Sequence, residues 1–156
     1  MCIRDSSDSV ASFAKQFLTP AEFIDGVLPA DPQLLIDVGN RFFSEPRQLA
    51  WRLALGREAS ELLSASEKPD DATHLYLSAK ANRMMGQLKA ACSMYRAALD
   101  IAPGATPWRF EYAETLMEAQ ELGTATREAE LCLRQMPDSS KLKRLMREIK
   151  RAKRKK

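Results

Sequence analysis

Pro69, Pro103 and Pro137 stand 34 residues apart, and the residues between them repeat in register. A fixed period of this length marks an array of small supersecondary units, each burying its apolar face against its neighbours. Laying residues 72–105 over 106–139 pairs Ala79 with Ala113, Leu88 with Leu122, Ala91 with Ala125 and Leu99 with Leu133. Cys92 and Cys132 fall on neighbouring small-residue positions of the same helical face. Every matched residue is small or apolar, and nothing of catalytic type recurs.

Within each unit the spacing is helical. Leu88, Ala91, Cys92, Tyr95, Ala98 and Leu99 form one stripe at i, i+3, i+4, i+7, i+10 and i+11, and Leu122, Ala125, Ala129, Cys132 and Leu133 repeat it. The preceding half of each unit predicts a second helix. One runs over 72–85 with Asp70 or Asp71 as its cap, and one over 107–119 with Thr106 as its cap and Pro107 in the first turn. Each unit is then a helical hairpin. Ala79, Ala91, Ala98, Ala113 and Ala125 let its helices approach closely.

These residues carry a family resemblance. From Ala72 to Ser139 the chain resembles two consecutive tetratricopeptide repeats. Leu75, Ala79, Gly86, Leu88, Ala91, Tyr95, Ala98, Leu99 and Pro103 carry it in the first unit, and Ala113, Leu116, Leu122, Ala125, Leu133 and Pro137 in the second. Asn82, Ala129 and Trp108 depart from the pattern. Asn82 stands where the family has a large apolar residue, Ala129 where Tyr95 supplies bulk, and Trp108 one place early. The RNA-binding pentatricopeptide family has a period one residue longer, whereas this chain keeps 34 through both intervals. The implied fold is all-α, a right-handed superhelical solenoid of antiparallel hairpins. The implied function is a protein interaction scaffold that holds a partner's peptide in a concave groove lined by the first helix of each unit. Carried over position by position, the groove-facing residues are Thr73, Tyr76, Lys80, Arg83 and Met84, then Phe110, Glu114, Met117 and Glu118, with Lys141 and Arg144 from the last helix. Tyr76 and Phe110 would anchor by their rings, and Lys80, Arg83 and Arg144 would take an acidic group. The carboxylate clamp of chaperone-binding members is not reproduced.

The flanks divide differently. Residues 1–6, Met-Cys-Ile-Arg-Asp-Ser, resemble a translated sequencing-adapter scar of assembled metagenomic reads, so they are set aside, and the expectation is a gene that begins further upstream. The chain would then be the C-terminal array of a larger protein whose activity lies upstream. Its compartment is open from the sequence: cytoplasmic by default, with the bacterial periplasm as the alternative if the N-terminus is truncated. Residues 7–69 are helical without the 34-residue frame, because stepping back one period puts Arg57 at the place of Ala91 and Glu61 at that of Tyr95. Thr19-Pro-Ala-Glu22 is a capping box, Asp31-Pro32 opens a helix to about Phe43, and Ser44 to Ala65 predicts another. We read this region as an irregular helical cap, or one degenerate repeat, with apolar cover from Leu34, Leu35, Phe42, Phe43, Trp51, Leu55 and Leu62.

Charge is lopsided. Residues 140–156 hold ten Lys or Arg and one Glu, a local +9 against a chain total of +3, which leaves about −6 for residues 1–139. Leu142, Leu145, Met146 and Ile149 still mark an amphipathic helix, a capping helix for the array with a basic tail. A sharper alternative is that Arg147, Lys150, Arg151, Lys153, Arg154, Lys155 and Lys156 contact nucleic acid or an anionic membrane surface. Association between copies through an exposed array end is a further expectation.

Catalytic signals are thin. His74 is the sole histidine, at a helix start where a surface role fits better than a general base. No HExxH, CxxC or Gly-rich phosphate loop occurs. Asp25, Asp31, Asp37, Asp70 and Asp71 lack the alternating spacing of a calcium loop. Cys92 and Cys132 read as buried free thiols, since three cysteines make no disulfide framework. The expectation is no enzyme activity, no metal, no cofactor and no small-molecule substrate.

Overall fold

The chain's backbone punctuation is executed in helices: among the described residues of the computed structural model, namely Val10, 13–65 and 71–155, every regular element is helical and no strand occurs. Two compact units divide at residues 67 and 68.

The first unit contains α1 (Pro20–Val27), α2 (Pro32–Phe42) and α3 (Leu49–Ser64). Thr19 opens α1 with the expected capping box, its hydroxyl accepting from the Glu22 amide at 3.3 Å while Glu22 accepts from the Thr19 amide at 2.7 Å. Asp31 caps α2 by accepting from the Leu34 amide at 3.1 Å. The single helix expected over 44–65 is instead a short 3-10 turn, Pro46–Gln48, followed by α3. Pro46 sits in that first turn, where its missing N–H costs nothing. Phe23, Phe43 and Trp51 form the aromatic centre, with Phe43 and Trp51 stacked at 4.7 Å and 3°. Leu35, Phe43 and Leu55 are fully buried as expected. Leu34 and the partly covered Phe42 and Leu62 are less so, while Ile36, Ala59 and Leu63 fill the core in their stead.

The second unit stacks α4 (Ala72–Met84), α5 (Leu88–Ile101), α6 (Thr106–Glu118), α7 (Leu122–Gln135) and α8 (Ser140–Lys153), each packed on the next in chain order. Helices α4 and α5 form one hairpin, and α6 and α7 the other. Ala79, Ala91, Ala98, Ala113, Ala125 and Ala129 are all completely buried, as close approach of paired helices requires. Tyr95, Leu116, Leu142 and Ile149 supply the bulk between them.

The punctuation repeats at 34 residues. Gly86, at φ +76°, ends α4, and Gln120, at φ +62°, ends α6. In both turns the residue after the left-handed position donates back into the helix, Gln87 to the Asn82 carbonyl at 2.9 Å and Glu121 to the Leu116 carbonyl at 2.8 Å. Helices α5 and α7 stop at Ala102 and Met136, both in non-helical conformations directly before Pro103 and Pro137. Asp71 caps α4 through the Thr73 and His74 amides at 3.0 and 3.3 Å, and Ser139 caps α8 through Leu142 at 3.4 Å. The third place in this series is a correction: Ala105, not Thr106, holds the cap position of α6, and no side chain caps that helix. Thr106 is already helical, and its hydroxyl bonds to Gln135 across the hairpin. Pro69 and Asp70, also assigned to punctuation, lie outside the described residues.

Candidate functional site

Helices α4, α6 and α8 begin at the same place in successive 34-residue frames, at Ala72, Thr106 and Ser140. The frame sorts their side chains. Leu77, Ala81, Thr115, Leu142, Leu145 and Ile149 are buried, as are Ala79 and Ala113, which lie toward the second helix of their own hairpins. Remaining at least partly open are Thr73, Tyr76, Lys80 and Arg83 on α4, Phe110, Glu114, Met117 and Glu118 on α6, and Lys141 and Arg144 on α8. Met84 belongs to the core instead: it is 3% exposed and offers no surface. It follows Arg83 by one residue, and a helix turns 100° per residue, which carries it past the edge of the open face.

Side chains bridge α4 and α6. The Tyr76 ring stacks on Trp108 with centroids 4.5 Å apart and 10° between planes. Its hydroxyl donates to Glu111 Oε1 at 2.9 Å, and Tyr95, reaching from α5, donates to Glu111 Oε2 at 3.1 Å. One carboxylate thus joins three helices. Burial, and then the negative charge of Glu111, push the Tyr95 phenol far above its ordinary range, so it stays a donor at any physiological pH. Neither Trp108 nor Glu111 was legible as part of this face. Their frame equivalents are His74 and Leu77, so no periodicity marks them.

The Arg83 guanidinium is already engaged. It donates to Glu118 at 2.6 and 3.2 Å and lies 3.4 Å from Glu114. Burial opposes its charge, but the Glu118 hydrogen bond and charge outweigh that and hold its pKa above the usual value. Glu114 behaves oppositely: burial raises its pKa more than the longer contact to Arg83 lowers it. The shorter bond to Glu118 takes most of the pairing. Lys80 lies over the Tyr76 ring, its Nζ 5.3 Å from the centroid. The face therefore offers an aromatic plate, a cation beside it, a cluster of one guanidinium and two carboxylates, and the partly exposed side chains of Phe110 and Met117.

A cleft of about 260 Å³ between α5, α6 and α7 is lined by Arg96, Leu99, Asp100, Pro103, Arg109, Tyr112 and Glu128. Its most enclosed cation is satisfied within the fold, since Arg109 donates to Glu128 at 2.7 Å and to the Pro103 carbonyl at 2.9 Å. Cys92 and Cys132 are buried and unpaired with one another, and burial pushes each thiol up to about 11. Of the basic residues at the C-terminus, Arg147, Lys150, Arg151, Lys153, Arg154 and Lys155 are all exposed, and Lys156 lies outside the described residues. No helix among the described residues is long and apolar enough to cross a membrane.

Comparison with known proteins agrees with this arrangement. No curated protein and no solved structure matches the chain. Residues 83–149 match the family model of the tetratricopeptide repeat. The matched stretch begins at the end of α4 and extends into α8, so it takes in the last helix as part of the array. With its 34-residue frame and its paired helices, the second unit is similar to the tetratricopeptide repeat over the matched residues.

Proposed function

We propose that the open face of α4, α6 and α8 holds a segment of a partner protein, and that the chain works as an interaction scaffold. Tetratricopeptide repeats are in general protein-binding modules, and the reading here is the finer one of where and how. The observation that carries it is the stacked Tyr76–Trp108 plate with Phe110 and Met117 beyond it, apolar surface on helices whose other sides are buried. Aromatic side chains held rigid by packing make good anchors, because little rotamer freedom is lost on binding. The partner segment carries apolar side chains for these anchors and an acidic group for Lys141, joined by Arg144 in exchange for its exposed contact with Glu148. Arg83 contributes by holding α4 to α6, since Glu118 and Glu114 occupy its donors.

A display library of random peptides selected against the full chain tests this reading. Selected peptides should be rich in apolar residues with at least one acidic residue. Phe110→Ala with Met117→Ala should weaken each by roughly 30-fold or more, the loss of about 2 kcal/mol expected for a central anchor pair. Unchanged affinity in that double variant would count against the face.

A further inference from the structure

Helix α8 holds the first-helix place of a third 34-residue frame, and the chemistry of the side that a second helix covers in the other two frames is different on it. In the first frame the positions toward the second helix are Leu75, Ala79 and Asn82, and in the second Arg109, Ala113 and Leu116. All are at least partly covered, and the alanines completely. The third frame places Lys143, Arg147 and Lys150 there, with Arg154 one turn on, and all four are exposed. The opposite side of α8 is committed: Leu142, Leu145 and Ile149 are buried in the array. Lys143 comes only within 3.8 Å of Asp138, and both are well exposed. Arg144 pairs with Glu148 at 3.1 Å on a different face.

This side does not suit a close-packed helix: Arg147 stands at the place of Ala79 and Ala113, and Lys143, Lys150 and Arg154 would each need an acidic partner of the kind that Glu128 gives Arg109, since burying cations unpaired is costly. It cannot insert into a bilayer either, since the apolar stripe that an interfacial helix would submerge is inside the protein. A protein partner would find no apolar centre on it to desolvate. What suits a row of exposed, long, cationic side chains on a fixed helix is a row of phosphates, which asks for charge and reach but no packing. We propose that Lys143, Arg147, Lys150 and Arg154 bind the phosphate backbone of nucleic acid. The row runs from Lys143 to Arg154, 12 residues and about 16 Å along the helix. It holds no aromatic side chain for stacking on bases, and its cations follow one helix edge as a row of phosphates requires, so no base preference is assigned to it. This surface is separate from the peptide-binding face, and neither proposal rests on the other.

Fluorescence anisotropy of a labelled single-stranded oligonucleotide, titrated with the full chain, tests the assignment. With four phosphate contacts on a single strand, log K should fall against log salt with a slope of about 2.8, so affinity drops roughly 50-fold between 50 and 200 mM salt. Replacing Lys143, Arg147, Lys150 and Arg154 together by Gln should remove the slope and the binding, with the helical circular dichroism unchanged because all four face solvent. The single changes should each lower the slope by about 0.7. Absence of binding at low salt, or binding retained by the quadruple variant, overturns the proposal. So does capture of phosphatidylserine vesicles or of polyglutamate at least as tightly as the oligonucleotide, which would make the row an unselective cationic surface.

Discussion

The hairpins α4–α5 and α6–α7 share one frame and differ in how they fill it. The first carries Tyr95 on its second helix and Ser78 on its first, while the second carries Ala129 and Tyr112 at the same two places. Both rings are buried, 6.1 Å apart, and both hydroxyls face a charged group: Tyr95 donates to Glu111, and Tyr112 lies under the influence of Arg96. The bulk has moved from one helix to the other. The turns differ likewise: the first uses Gly86 where φ is positive, and the second forces Gln120 into the same conformation. The frame is therefore set by where helices start, stop and approach one another, and the identity of the filler is negotiable so long as the volume is supplied.

The comparison breaks most visibly at the two tyrosines. Tyr95→Ala and Tyr112→Ala should each cost about 3–5 kcal/mol in denaturant unfolding, the usual range for truncating a buried aromatic, despite their different frame positions. A loss below about 1 kcal/mol for Tyr112→Ala would mean that it does not replace Tyr95. Tyr95→Phe isolates the hydroxyl, leaves Glu111 one donor short, and should cost roughly 1–2 kcal/mol.

The turns give smaller effects of opposite sign. Gly86→Ala should destabilise by about 1 kcal/mol through backbone strain alone, since nothing lies within 4 Å of an added Cβ. Gln120→Gly should stabilise by a similar or smaller amount, as the strained side-chain-bearing residue is relieved. Equal responses to the two changes would show the turns to be inequivalent.

The thiols come last, because at neutral pH they contribute no slope. Burial raises both Cys92 and Cys132 from an ordinary value near 9 to about 11. The folded state thus holds these protons more tightly than the unfolded chain does. Their contribution is complete below pH 9 and should be lost as pH rises toward 11. Replacing both cysteines by Ala should flatten that alkaline decline, measured by thermal melts across the range, and the thiols should resist alkylation until the protein unfolds.

Much of this fold is legible in the residues. Thr19, Asp31, Asp71 and Ser139 cap where short polar side chains precede apolar periodicity, and Pro103 and Pro137 follow helix ends because proline excludes helix from the residue before it. Alanines at hairpin contacts mark close approach directly. The face was only partly legible. Thr106 looked like a cap because it precedes Pro107, yet Pro107 is equally at home one residue further into the first turn, and Ala105 took the place. Met84 was carried to the surface by analogy of position, but a one-residue step on a helix is enough to bury it. Arg83 looked available to a partner because its acceptors, Glu114 and Glu118, are 31 and 35 residues away and become neighbours only when the units stack. Glu111 is the clearest case. Its two tyrosine donors lie on two other helices, 35 and 16 residues distant, and no local pattern joins them.

The central claim is that the open side of the first helices, and not the cleft behind them, receives a partner segment. Amide chemical-shift mapping of the full chain with a library-selected peptide tests it most directly. The account predicts that the largest shifts fall on Tyr76, Lys80, Trp108, Phe110, Met117, Lys141 and Arg144. Shifts centred on Arg96, Asp100, Arg109 and Glu128, with those residues unmoved, would contradict it.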